Sequence, residues 1–375
     1  MQDPRLAKLA KVLVHYSTSV RPGDLVRLTG PPVSRPLLVA LYREVLQAGG
    51  HPYVTMAPDE CAAARLAEGT EEQLLYENPI AQFEIEHIDV SISIWGEDNT
   101  KALTSADPAR QALVSQARKR VLKTFMQRYE QGALRWCGTQ FPCHAAAQDA
   151  ERSLEEYEEF VFHAGLLHLD DPAAQWQQVS QRQQRVVDYL NGKSAIRFVT
   201  PQGTDLKLGV AGRRWINCDG HENFPDGEVF TGPIEDATEG VVCYSFPAVH
   251  GGREVDQIRL RFQNGRVVDA AASKGEAFLL AMLDQDAGAR TLGEIAIGTN
   301  YSIVEYTKNT LFDEKIGGTF HAALGAAYPE TGGRNESGLH WDMVCDLRQG
   351  GRIFVDGELI SENGRFLDAT WPQPG

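Results

Sequence analysis

Leu25-Val26-Arg27-Leu28, the run from Arg35 to Ala48, the pair Gly49-Gly50 and His51-Pro52-Tyr53-Val54-Thr55-Met56 succeed one another within residues 25–56. The outer pieces are short and rich in β-forming residues. The middle carries apolar residues at helical spacing until the two glycines stop it. Strand, helix and strand in that order predict a βαβ unit, and a crossover through a helix makes the two strands parallel. Working outward, Leu6, Leu9 and Leu13 predict a helix over residues 3–16, closed by the turn Arg21-Pro22-Gly23-Asp24. Downstream, residues 89–94 and 133–136 predict further strands on either side of a charged helix from Pro108 to Gln131. The N-terminal part is thus expected to be α/β with a parallel sheet.

The texture then changes twice. Residues 140–191 read as helical, and Ser153-Leu154-Glu155-Glu156 has the form of a capping box. From Ala195 onward short strands prevail, such as residues 195–199 and 204–208, and Asn264-Gly265 and Asp356-Gly357 predict hairpin turns. The boundary is placed in Asn191-Gly192-Lys193-Ser194. That gives an α/β and helical domain over 1–192 and a strand-rich α+β domain over 193–375, which holds the candidate metal ligands described below.

Composition narrows the functional classes. The chain has 375 residues, 42% apolar and 23% charged, as a folded two-domain protein would. Its 51 acids against 36 lysines and arginines leave a net charge of −15. That balance argues against nucleic acid or an anionic membrane as partner, since both require a basic face. Asp3, Arg5, Lys8 and Lys11 break up any signal-peptide core, and no apolar stretch is long enough for a membrane helix. The six scattered cysteines contain no CxxC pair and fit the reduced thiols of a cytoplasmic protein. Dinucleotide, P-loop and serine-hydrolase signatures are absent. His221-Glu222 begins like HExxH, but Pro225 stands where the second histidine is required.

What remains is a set of imidazoles and carboxylates in the C-terminal half. His340-Trp341-Asp342 puts two ligand types on one face of a strand. Alone it says little, because His87-Ile88-Asp89 and His168-Leu169-Asp170 share the spacing. Upstream, Asp313-Glu314-Lys315-Ile316-Gly317-Gly318-Thr319-Phe320-His321 leads into small residues that predict a helix from Ala322. His321 and Tyr328 would share one face of that helix, about 10.5 Å apart along its axis. The turn Asn223-Phe224-Pro225-Asp226-Gly227 releases Glu228 at the start of a strand. Glu294 is a lone carboxylate in the apolar, glycine-flanked run 291–298; buried there, it costs several kcal/mol unless paired or metal-bound.

These segments, with Asn309-Thr310-Leu311-Phe312-Asp313-Glu314 and His321-Ala322-Ala323-Leu324-Gly325-Ala326-Ala327-Tyr328, stand in the order seen in peptidase family M29, the aminopeptidase T family. The resemblance spans nearly the whole chain. It implies a metal-dependent aminopeptidase that takes peptides with a free N-terminus and works as a homodimer with two divalent ions. By position, the family's metal ligands fall on Glu228, Glu294, Glu314, His321, His340 and Asp342, and a tyrosine of its site falls on Tyr328. The chain departs from the family in one place: the stretch between Glu314 and His321 is longer than in typical members, with Gly317-Gly318 inserted. Four carboxylates and two imidazoles suit Zn²⁺, Co²⁺ or Mn²⁺. Glu294 and Asp342 are the bridging candidates, and Tyr328 is a donor for a developing oxyanion. Two other readings stand beside this one. In a non-haem Fe(II) ring-cleaving dioxygenase on a related scaffold, His321, His340 and Asp342 would form the facial triad. In a non-catalytic peptide- or metal-binding protein, turnover would be lost.

Overall fold

A computed structural model describes residues 3–375, which divide into two compact units. The first runs to Ala173 and adds Gly220–Phe224; the second comprises Ala174–Asp219 and Pro225–Gly375. The helix Pro172–Leu190, which sequence reading assigns to the N-terminal part, therefore lies almost wholly in the second unit.

The first unit is built on the βαβ segment. Leu25–Gly30 and His51–Met56 pair in parallel, and Val90–Trp95, Arg135–Gln140 and Asn223–Phe224 extend the sheet, all parallel. Between the first two strands, the helix Arg35–Gln47 buries Leu37, Leu38, Leu41 and Val45. Gly49 ends it with φ at +82°, a conformation that favours glycine. The capping box at Ser153 forms as the sequence predicts: Ser153 Oγ accepts from Glu156 N, and the Glu156 carboxylate accepts from Ser153 N.

The second unit packs two antiparallel sheets face to face. An eight-stranded sheet contains Ala195–Val199 and Asp205–Gly209, in which buried and exposed residues alternate, as expected of a sheet covered on one side. The hairpins predicted at Asn264-Gly265 and Asp356-Gly357 both lie in it. Against it stands a five-stranded sheet: β1 (Ile216–Cys218), β2 (Glu228–Thr231), β3 (Leu292–Gly298), β4 (Thr319–Gly325) and β5 (His340–Asp346), ordered β5-β4-β3-β2-β1. Phe198 of the larger sheet stacks on Phe320 of β4 with ring centroids 4.1 Å apart, an arrangement that adds to the area both rings bury. Leu206, Leu260, Ile295, Trp341 and Met343 belong to the same buried core.

Candidate metal centre

The site grows from the side of the small sheet that turns away from this core. Successive strand residues point to opposite faces. In β4, Phe320, Ala322 and Leu324 join the core, so His321 and Ala323 face the other way. In β5, Trp341 and Met343 are core residues, which puts His340 and Asp342 on the face with His321. β3 reaches that face through a bulge. Leu292 pairs with Leu324 and Glu294 with Ala323, and the register slips between them. Without the slip, Leu292 and Glu294 would share one face; with it, Leu292 stays in the core and Glu294 turns to the site. Gly293 makes the slip possible, because a Cβ there would lie 2.1 Å from Ala326 O.

Register gathers the donors. Ala323 pairs with Glu294 on one side and Asp342 on the other, Gly325 with His340, Ala296 with His321, and Gly298 with Glu228. The residues between the donors are thus alanine and glycine, which leaves room above the sheet for the longer side chains to converge. His321 Nε2 lies 3.3 Å from Glu228 Oε2 and 3.4 Å from Glu294 Oε1. His340 Nε2 lies 3.4 Å from Glu294 Oε2 and 3.6 Å from Asp342 Oδ2. Glu228, Glu294 and His321 form one group with donor atoms within 4.8 Å of one another; Glu294, His340 and Asp342 form a second, and Glu314, His321 and Asp342 a third. All six residues expected as ligands come together.

Both imidazoles are oriented from behind. His321 Nδ1 is 3.0 Å from Glu314 O, and His340 Nδ1 is 2.9 Å from Ala326 O. A carbonyl only accepts, so each Nδ1–H donates and each Nε2 is turned to the cluster. Burial disfavours a charged ring at His321, yet Glu228 and Glu294 outweigh it and hold its pKa up to about 10. At His340 burial is likewise overcome, by Asp342 and Glu294, and the pKa rises to about 11. Asp342 is pushed down to about 2 by His340 despite its own burial. Burial drives Glu228 well above its usual range, with Lys315 opposing. Glu228 Oε2 and Asp342 Oδ1 are buried with no hydrogen-bond partner. Carboxylate oxygens stranded beside two oriented imidazoles fit a divalent cation, which satisfies them as no protein donor here does.

Two sequence expectations are corrected. Residues 319–325 form a strand, not the approach to a helix at Ala322, because β4 is paired along both edges and buried on both faces. The small residues that suggested a helix are the floor of the site. Tyr328 accordingly sits in the loop before the 3₁₀ turn Pro329–Thr331, and the helix-face argument for it lapses. Its ring still reaches the site, edge-on to His340 at 5.2 Å and to Phe230 at 5.4 Å.

Sequence reading assigns no role to Lys315 or Asp226. Lys315 is fully buried, its Nζ bonded to Glu314 Oε1, 3.7 Å from Glu228 Oε1 and 3.8 Å from Asp226 Oδ1. Gly317 and Gly318 bring this segment against residues 298–301: Gly317 N donates to Asn300 O and Asn300 N to Lys315 O. A Cβ on Gly298 would lie 2.2 Å from Ile316 O. A lysine bounded by a candidate ligand and a double glycine was the available signal.

Residues 2–366 match the family of thermophilic metalloproteases, M29. The chain belongs to family M29. Across the family, it is 31% identical over 407 residues to Aminopeptidase T of Thermus thermophilus, covering 97% of this chain and 95% of that protein. It is 28% identical over 411 residues to Aminopeptidase 2 of Geobacillus stearothermophilus, covering 98% of each. Wild-type AmpT from Thermus thermophilus superposes with a TM-score of 0.85 at 28% identity, over 97% of this chain and 99% of that one. The 2,5-dihydroxypyridine dioxygenase of Pseudomonas putida KT2440 superposes with a TM-score of 0.63 at 14% identity over 97% of each chain, a likeness of fold alone. As an M29 protein the chain is a metallo-aminopeptidase, a hydrolase. No described helix is long and apolar enough to cross a membrane.

Proposed function

We propose that the chain removes N-terminal residues from peptides with two divalent cations held by Glu228, Glu294, Glu314, His321, His340 and Asp342. The observation that carries this reading is the pair of donor groups that share Glu294, one completed by Glu228 and His321, the other by His340 and Asp342. When bound, Zn²⁺, Co²⁺ or Mn²⁺ supplies Lewis acidity and an activated water. The chain's own residues do the rest. Glu294 offers one oxygen toward each histidine, and Glu294 and Asp342 are the residues that would be shared between the two cations. The backbone carbonyls of Glu314 and Ala326 fix both imidazoles. Tyr328, beside His340, would donate a hydrogen bond from its hydroxyl to the oxyanion that develops on the scissile carbonyl. The protein acts in the cytoplasm as a homodimer and has no nucleic-acid or membrane partner, in keeping with its acidic balance.

The test is hydrolysis of aminoacyl chromogenic substrates with Co²⁺ or Zn²⁺, before and after chelation. Release that chelation stops and added metal restores is the expected result. One iron per chain with oxygen-dependent ring cleavage would turn the assignment to a dioxygenase. No chelator-sensitive release over a panel of N-terminal residues would leave a binding protein.

A further inference from the structure

The two donor groups do not stand in the same electrostatic surroundings. Among the described residues, Glu294 and Asp342 form ion pairs with His321 and His340 and with no lysine or arginine. Glu228 lies 3.7 Å from the Lys315 ammonium, which is fully buried and also touches Glu314 and Asp226. A lysine out of reach of water is weakly screened, so its repulsion of a nearby cation is far stronger than at a surface. The charges also balance in one particular way. Asp226, Glu228, Glu294, Glu314 and Asp342 carry five negative charges, which Lys315 and two divalent cations match when both histidines are neutral.

We propose that Lys315 makes the two cation positions unequal. The position at Glu294, His340 and Asp342 fills first and tightly. The one at Glu228, Glu294 and His321 fills second and loosely, because the ammonium beside Glu228 has already taken part of its charge. Lys315 is thus a resident monovalent cation that sets the order of loading. This rests on the two-ion reading above.

The full chain, stripped by a chelator and titrated calorimetrically with Zn²⁺ alone, should take up two equivalents in steps separated by roughly tenfold or more in affinity. In Lys315→Met, the second step should tighten by a similar factor. Asp226→Asn removes an acid that offsets Lys315 and should weaken the second step severalfold, the opposite direction. Two equal steps in the wild type, or a second step unchanged or weakened in folded Lys315→Met, overturn the proposal while the two-ion reading stands. If Lys315→Met does not fold, Asp226→Asn decides: an unchanged or tightened second step overturns it. A single equivalent in the wild type removes the two-ion reading and this proposal with it.

Discussion

At the scale of single residues, three His-x-Asp pairs share one spacing and differ in what surrounds them. His340 faces Glu294 and Asp342 in a buried cluster, whereas His87 is exposed, stacked on Phe83 with its Nδ1 on Phe83 O. His168 stacks on His163. Replacing His340 or Asp342 by alanine is expected to cut kcat by roughly 100-fold or more, the scale on which even indirect partners of a metal act, and to lower bound metal measured by atomic emission. His87→Ala and His168→Ala should change neither; equal effects from all four would mean the cluster is not the catalyst. Ala323 offers a second check, since it lies between Glu294 and Asp342 at the floor of the site. Ala323→Leu should cost about 1–3 kcal/mol in denaturant unfolding and reduce metal uptake, because the added branch occupies the space where the carboxylates converge. Retained uptake would place the ions elsewhere. Glu228 was legible in sequence because a proline-glycine turn has a mechanism, and Glu294 because a lone acid in an apolar run demands a partner. Lys315 was not: a lysine in a charged segment ordinarily reads as surface, and only the acids around it justify its burial.

At the scale of elements, the end of β3 and the segment that carries Lys315 are locked by a missing side chain. Gly298→Ala would set a Cβ against Ile316 O and force residues 314–318 outward. We expect a loss of about 1–3 kcal/mol together with weakened metal binding, read in one titration of the folded variant. Gly192→Ala is the control: φ is +86° but nothing lies within 4 Å of the added carbon, so about 1 kcal/mol should be lost with metal binding intact. Matching losses of metal affinity would show that β3 does not position the site. Local signals sufficed where they were decisive. Gly49-Gly50 ended a helix between two strands, and Asn264-Gly265 turned a hairpin. They misled at residues 322–325, where Ala322, Ala323 and Leu324 favour a helix locally, but pairing with β3 and β5 overrides propensity. The bulge at Gly293 was likewise invisible, since it depends on a strand nearly thirty residues downstream.

At the scale of the whole molecule, every candidate ligand belongs to the second unit. Metal should therefore stabilise that unit selectively, by about 2.7 kcal/mol when free metal is 100 times its dissociation constant. Calorimetry with and without chelator should show one transition shifting and the other fixed; two equal shifts would contradict the assignment of ligands. The division of the chain has a further consequence, one of timing. The last strand of the first unit's parallel sheet, Asn223–Phe224, is reached only after the chain has passed through the helix Pro172–Leu190 and three strands of the second unit. On a ribosome, then, the first unit cannot be finished until part of the second has already emerged. Until residue 224 arrives, Gly138 N lacks Glu222 O and Thr139 Oγ1 lacks Phe224 O, and Arg135–Gln140 waits as an open edge able to recruit any extended segment nearby. Four residues past that closing strand comes Glu228, so the same short passage of chain that seals the nascent sheet also delivers the first carboxylate of the candidate metal site.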